Sequence, residues 1–156
     1  MWNKVSLILS MLGVVVFGSS CTSNKVTGTN TPQKVLSDYV ARSFSVQGVP
    51  EKPKLLELAT GEVKETLEKM SDAEFRAYFV DSKREFTGLK VRDERKISED
   101  RYSITYELSF NSKTAESFDK ITNKKSALFV QKDSKWLISE VKNIKTLIEH
   151  QNEFSF

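Results

Sequence analysis

The sequence predicts an α+β domain in which N-terminal helices pack on a curved four-stranded antiparallel sheet. Three observations carry this. Apolar residues recur at helical spacing from residue 32 to about residue 80, and after Asp81 the period drops to two. The four strands that follow are joined by connections too short for crossovers, so they pair as a meander. Helices first and antiparallel strands after them place the helical layer on one face of the sheet. A chain of 156 residues holds one such domain. With 38% hydrophobic residues, ten Phe, four Tyr and two Trp, it has the material for a real core.

The helical half opens at Thr31-Pro32, a capping hydroxyl followed by a proline whose missing N–H costs nothing in a first turn. Val35, Leu36, Tyr39, Val40 and Phe44 then share one face, and Gly48-Val49-Pro50 ends the pattern. Pro53 opens a short second helix bearing Leu55, Leu56, Leu58 and Ala59, interrupted at Gly61. Val63, Leu67 and Met70 mark a third, with Glu65 four residues before Lys69 on another face. Ser71-Asp72-Ala73-Glu74 has the reciprocal capping pattern and starts a helix carrying Phe75, Tyr78 and Phe79.

In the sheet half, Tyr102, Ile104, Tyr106, Leu108 and Phe110 alternate with polar residues and mark a strand with one buried face. Before it lies a strand from Phe86 to Ile97 with a charged middle, and Ser98-Glu99-Asp100 is the turn between the two. After it, a strand from about Ile121 to Lys132 meets a tight turn at Lys132-Asp133-Ser134-Lys135, and the last strand runs from Trp136 to about Asn143. Helices, then the Tyr102–Phe110 strand, then strand, polar turn, Lys135-Trp136 and closing strand resembles the small lipoproteins with a nuclear transport factor two-like, or cystatin-like, fold. The resemblance spans about residues 32 to 143 and implies a cone-shaped domain. That superfamily includes enzymes, ligand binders and interaction modules, so no single function comes with it.

The amino terminus reads as an export signal. Lys4 precedes an apolar run from Val5 to Phe17 and the small residues Gly18-Ser19-Ser20. The run is well short of the roughly 20 residues a membrane-spanning helix needs. Small residues followed at once by Cys21, the single cysteine, resemble the lipobox of bacterial lipoproteins, although Gly18 stands where that family favours an aliphatic residue. The resemblance implies a signal peptide over residues 1–20, lipidation of Cys21, and anchoring in the cell envelope. Thr22 in the second mature position then implies the outer membrane, facing the periplasm. An ordinary signal cut after Ser20 is the alternative. Residues 21–31, polar and without periodicity, form a flexible tether to a single domain over 32–156.

Composition removes several functions. The formal charge of +3 is spread over interleaved basic and acidic residues, leaving no basic stripe for nucleic acid. A single Cys excludes an intrachain disulfide and a Cys-rich zinc site, and no metal or cofactor is expected. A Ser-His-Asp arrangement would have to use the lone His150, which reads as an exposed residue of the tail. Asp93, Glu94, Glu99 and Asp100 are flanked by Arg92, Arg95, Lys96 and Arg101, which predicts surface ion pairing. Glu107 and Glu140 lie on strands, but Glu107 falls on the outer face. No catalytic residue is assigned.

The aromatic set Tyr39, Phe44, Phe75, Tyr78, Phe79, Tyr102, Tyr106, Phe110, Phe129 and Trp136 serves either as core or as the lining of a ligand pocket between helices and sheet. The resulting expectation is a non-enzymatic envelope protein, lipid-anchored through Cys21, that binds a partner protein or a small ligand. A small enzyme using the cone as its pocket is the alternative.

Overall fold

The computed structural model describes residues 30–113 and 118–151. The expected signal peptide, Cys21 and all of the tether except Asn30 and Thr31 lie outside the described residues. Helix α1 (Pro32–Ser45) starts where the capping hydroxyl predicts: Thr31 Oγ1 accepts from the Lys34 amide at 3.2 Å. The two tether residues belong to the fold. Trp136 donates its amide to the Asn30 side chain, which ties the entry of α1 to the sheet.

A 3₁₀ turn at Val49–Glu51 leads into the one-turn helix α2 (Lys52–Leu56), and α3 spans Gly61–Lys69. The Lys52 ammonium donates to the Met70 carbonyl at 2.6 Å, giving the end of α3 a cationic cap. Helix α4 (Asp72–Phe75) has the full capping box, with the Glu74 amide on Ser71 Oγ and the Glu74 carboxylate on the Ser71 amide. It continues as a wider π turn over Arg76–Val80, closed by the Asp81 amide on the Arg76 carbonyl at 2.8 Å. That extra residue per turn lets Phe79 enter the core while Tyr78 stays half exposed.

Strands β1 (Arg84–Lys96), β2 (Arg101–Lys113), β3 (Phe118–Lys132) and β4 (Lys135–Gln151) form one antiparallel sheet in the order β1-β2-β3-β4, as the meander predicts. Asp133 and Ser134 both take positive φ, 48° and 63°, in the two-residue turn joining β3 and β4. The register shifts between Phe86 and Gly88, between Val91 and Asp93, between Lys124 and Lys125, and between Leu128 and Phe129. Such bulges bend and twist their strands, and the sheet is curved.

The core lies between the helices and the inner sheet face: Val35, Leu36, Leu55, Leu67 and Phe75 meet Ile104, Ala127, Phe129 and Ile138. The segment just before α3 also runs along the open edge of β4, where Ile138 donates to Leu58 O at 2.9 Å and Thr60 donates to Ile138 O at 2.8 Å. Gly61 does not interrupt a helix. It begins α3, at φ +52°, where an added Cβ would meet Ser139 Oγ at 2.7 Å.

Two further expectations need correction. Strand β4 continues eight residues past Asn143, to Gln151, because a bulge beside Asn143 shifts the alternation and disguises Ile144, Leu147 and Ile148 as irregular sequence. His150 is therefore a strand residue rather than a tail residue; its ring is exposed, with Nδ1 2.9 Å from Asp119 Oδ1.

Candidate functional site

A cleft of about 240 Å³ opens between the helical layer and the inner sheet face. Its walls follow from helical and strand periodicity. One face of α1 presents Tyr39, Val40, Ser43 and Phe44, and α3 presents Glu62, Val63, Thr66 and Leu67, with Met70 just beyond. The π turn adds Tyr78 and Phe79, and the sheet supplies Arg84, Tyr106, Leu108, Lys125 and Val141. Tyr106 and Lys125 are opposite partners on β2 and β3. Directly opposed side chains stand about 5 Å apart at Cβ, so both project into the same part of the cleft.

Tyr106 is 3% exposed. Among the described residues its hydroxyl has no hydrogen-bond partner, yet no buried polar side-chain atom goes unsatisfied. The Tyr106 oxygen is therefore reached from the cleft. Tyr39 is in the same position. Burial pushes the Tyr39 phenol up to about 12, with the nearby Tyr78 phenol adding to it. Burial raises Tyr106 as well, reinforced by Tyr39 and Tyr78. Three phenols thus converge, and two of them offer a free hydroxyl to whatever enters.

Two cations line the same space with different duties. Arg84 is committed: it donates to Tyr78 O at 2.6 Å and to Ser82 Oγ at 2.9 Å, and its guanidinium lies over the rings of Tyr78, Phe44 and Phe110. Lys125, half-buried on the inner face, has no ion pair or hydrogen bond among the described residues. Two neighbouring hollows differ from this one. One joins Ser37, Ala41 and Ser45 to Phe86 and Leu89, and the charges of the other, Arg42 with Glu57 and Glu51 with Lys54, are already paired.

The residues singled out in the sequence are scattered. Cys21 lies outside the described residues. Glu107 faces away from the core and bonds to Arg92, which holds its carboxyl below the usual range. Glu140 pairs with Lys142. In the acidic cluster, Glu94 accepts from Tyr102 at 3.0 Å and from Gln33 at 2.9 Å rather than from its flanking bases, while Asp100 accepts from Ser98 at 2.6 Å, with the flanking Arg101 adding to what holds its carboxyl below the usual range. The charged middle of β1 is on an edge strand, where polar neighbours on α1 and β2 are nearer than its own arginines. No group of three or more His, Cys, Asp or Glu side chains is arranged for a metal among the described residues.

The aromatic set divides. Phe75, Phe110 and Phe129 belong to the buried core, Tyr102 and Trp136 meet edge-on at 6.2 Å where they pack against it, and Tyr39, Phe44, Tyr78, Phe79 and Tyr106 line the cleft. Lys125 was missed, although the signal exists: it stands two residues before Ala127 and four before Phe129, an inward position for a charged side chain.

No family model and no curated protein matches the chain. The fold is similar to the solution structure of a SEC-C motif containing protein from Rhodopseudomonas palustris, with a TM-score of 0.55 over 76% of this chain and 83% of that chain. At 14% identity this likeness shows the fold alone. It overturns the resemblance to lipoproteins of nuclear transport factor two-like fold: the solved neighbour is a SEC-C motif protein, and neither family models nor curated proteins support that membership. The physical reason is that helices before a meander, with a polar turn and a Trp in the closing hairpin, satisfy any helix-on-sheet α+β domain. The α+β architecture stands.

Proposed function

We propose that this protein is a non-enzymatic binding module of the cell envelope, held there through a lipid on Cys21, whose domain takes a small ligand in the cleft between α1, α3 and the sheet. The observation that carries the reading is the pair of free phenol hydroxyls, Tyr39 and Tyr106, set beside the apolar wall of Val40, Phe44, Val63, Leu67, Phe79 and Leu108. Ligand sites combine this kind of apolar lining with a few placed polar groups. The cleft is smaller than the roughly 300–1,000 Å³ of drug-sized sites, which favours a small guest. Binding is favoured over the alternative of a small enzyme because the lining contains neither His nor Cys, and its one carboxylate, Glu62, is exposed.

Both halves of the reading are open to test. Adding 1-octanol to the protein should shift the NMR signals of Met70, Leu108 and Phe79 while leaving Leu55 unmoved; uniform or absent shifts would refute the cleft as a binding site. Cys21→Ala should move the protein from the membrane fraction to the soluble one. Unchanged retention with an uncut precursor would point to a signal anchor instead.

A further inference from the structure

The cleft is not electrically neutral. Its lining carries Arg84, Lys125 and Glu62, two cations against one anion. Glu62 sits exposed at the start of α3, where its field acts on Lys142 outside the cleft. Arg84 is fixed by Tyr78 O, Ser82 Oγ and the rings around it. Arg84 keeps its charge but has its donors engaged, so the cation whose donors are open is Lys125, which stands opposite Tyr106 in the β2–β3 register with both side chains on the inner face. The Lys125 ammonium and the Tyr106 hydroxyl stand side by side, both reached from the cleft and both with donor capacity that no described residue uses. Tyr106 can donate a hydrogen bond and Lys125 can donate several, while neither needs to accept. A group that only accepts, and carries negative charge, satisfies both.

Resting on the reading of the cleft as a ligand site, we propose that its guest is a small amphipathic anion, such as a short-chain monocarboxylate. The negative end sits between the Lys125 ammonium and the Tyr106 hydroxyl, and the apolar body lies against Val40, Phe44, Leu67 and Phe79. The apolar lining provides affinity for the chain, and the two donors on neighbouring strands set the sign of the head group.

The test is calorimetric titration of the full chain carrying Cys21→Ala, so that no attached acyl chain competes, with octanoate, 1-octanol and octylammonium. Octanoate should bind at least ten times more tightly than octanol, and octylammonium most weakly, since a charge-assisted hydrogen bond is worth about tenfold or more. Lys125→Met should bring octanoate to within about twofold of octanol, weakening octanoate far more than octanol because only octanoate loses an ion pair, and Lys125→Gln, which keeps a polar end, should do the same if the Met variant is poorly folded. Tyr106→Phe should weaken octanoate and octanol alike. Equal affinity of the wild type for octanoate and octanol would overturn the anion proposal and leave the cleft reading standing. Failure of all three to bind would overturn both. A preference for octanoate that survives both Lys125 variants would remove Lys125 from its assigned role.

Discussion

Gly61 is the hinge between the segment bound to the edge of β4 and the α3 wall of the cleft, and replacing it should be costly. Its φ is +52°, and a Cβ added there would stand 2.7 Å from Ser139 Oγ and 3.2 Å from the Ser139 carbonyl. Alanine in a left-handed conformation costs about 1–2 kcal/mol. Its smaller freedom in the unfolded chain returns about 0.4–1 kcal/mol, so conformation alone leaves a net loss near 1 kcal/mol. The contact adds to this. The Ser139 hydroxyl can rotate away, but the carbonyl is backbone, held in β4 by its neighbours: Ile138 bonds to Leu58 and Thr60. The start of α3 must therefore lift by a few tenths of an ångström. Gly61→Ala should destabilise by about 2 kcal/mol in total, read as a lowered urea midpoint at unchanged slope. Gly61→Asn, which tolerates the left-handed region, should lose less, because only the contact remains. Ser139→Ala in the Gly61→Ala background should recover the hydroxyl part and no more. A Gly61→Ala protein as stable as the wild type would refute both the left-handed turn and the close approach.

Other consequences are simpler. Phe129 is fully buried at the centre of the sheet, so Phe129→Ala should cost about 3–5 kcal/mol in denaturant unfolding, and a loss under about 1 kcal/mol would contradict its place in the core. Ser71→Ala removes the hydroxyl that accepts the Glu74 amide. It should cost about 1 kcal/mol and raise hydrogen exchange in α4 before any other helix. The buried phenols make stability fall in alkali. Tyr39 titrates near 10 unfolded but about 12 folded. Between those values the folded state holds the extra proton, so this contribution is complete below pH 10 and is lost as pH rises to 12. At about 1.36 kcal/mol per unit, Tyr39 alone accounts for roughly 2–3 kcal/mol. Tyrosinate absorbance should therefore show Tyr39 and Tyr106 ionising only as circular dichroism reports unfolding. All four tyrosines titrating together near pH 10 in a folded protein would refute their burial.

What the sequence made legible was whatever local chemistry decides. Thr31-Pro32 and Ser71 to Glu74 cap helices through contacts within one turn, and both caps form as read. The alternation from Tyr102 to Phe110 needs only a half-buried face, and Ile104, Tyr106, Leu108 and Phe110 are all buried. The missed features depend on partners distant in sequence. Gly61 reads as a helix breaker locally, and only the approach of Ser139 shows why it starts a helix instead. The bulge between Asn143 and Lys145 answers to β3, so the alternation in β4 breaks there and its last turn of sequence looked like a tail. Lys125 stayed unread for the reverse reason: its inward phase was visible, but the partner that makes it significant, Tyr106, is nineteen residues away on another strand.

The location of the cleft follows from a mismatch of lengths. The 14 residues of α1 rise about 1.5 Å each, roughly 21 Å in all, whereas the 17 residues of β4 advance about 3.3 Å each, well over twice that distance. The helices cannot cover the whole inner face. Where they do, Ala127, Phe129 and Ile138 are wholly buried, and where they do not, Ile148 on the same face is 48% exposed. Lys125 and Val141, half-buried, occupy the boundary between these regions on β3 and β4, whereas on β2 the cover continues past Tyr106 to Leu108 and Phe110. A charged side chain on an inward position is tolerable at such a boundary, because its stem can pack while its head remains accessible. Deeper in, it would be an uncompensated buried charge; farther out, it would be one more surface lysine. The rigid sheet fixes Lys125 against Tyr106, and the end of the helical cover leaves room for a guest between them, so a strand-borne cation and phenol become a binding pair only at this level of the fold.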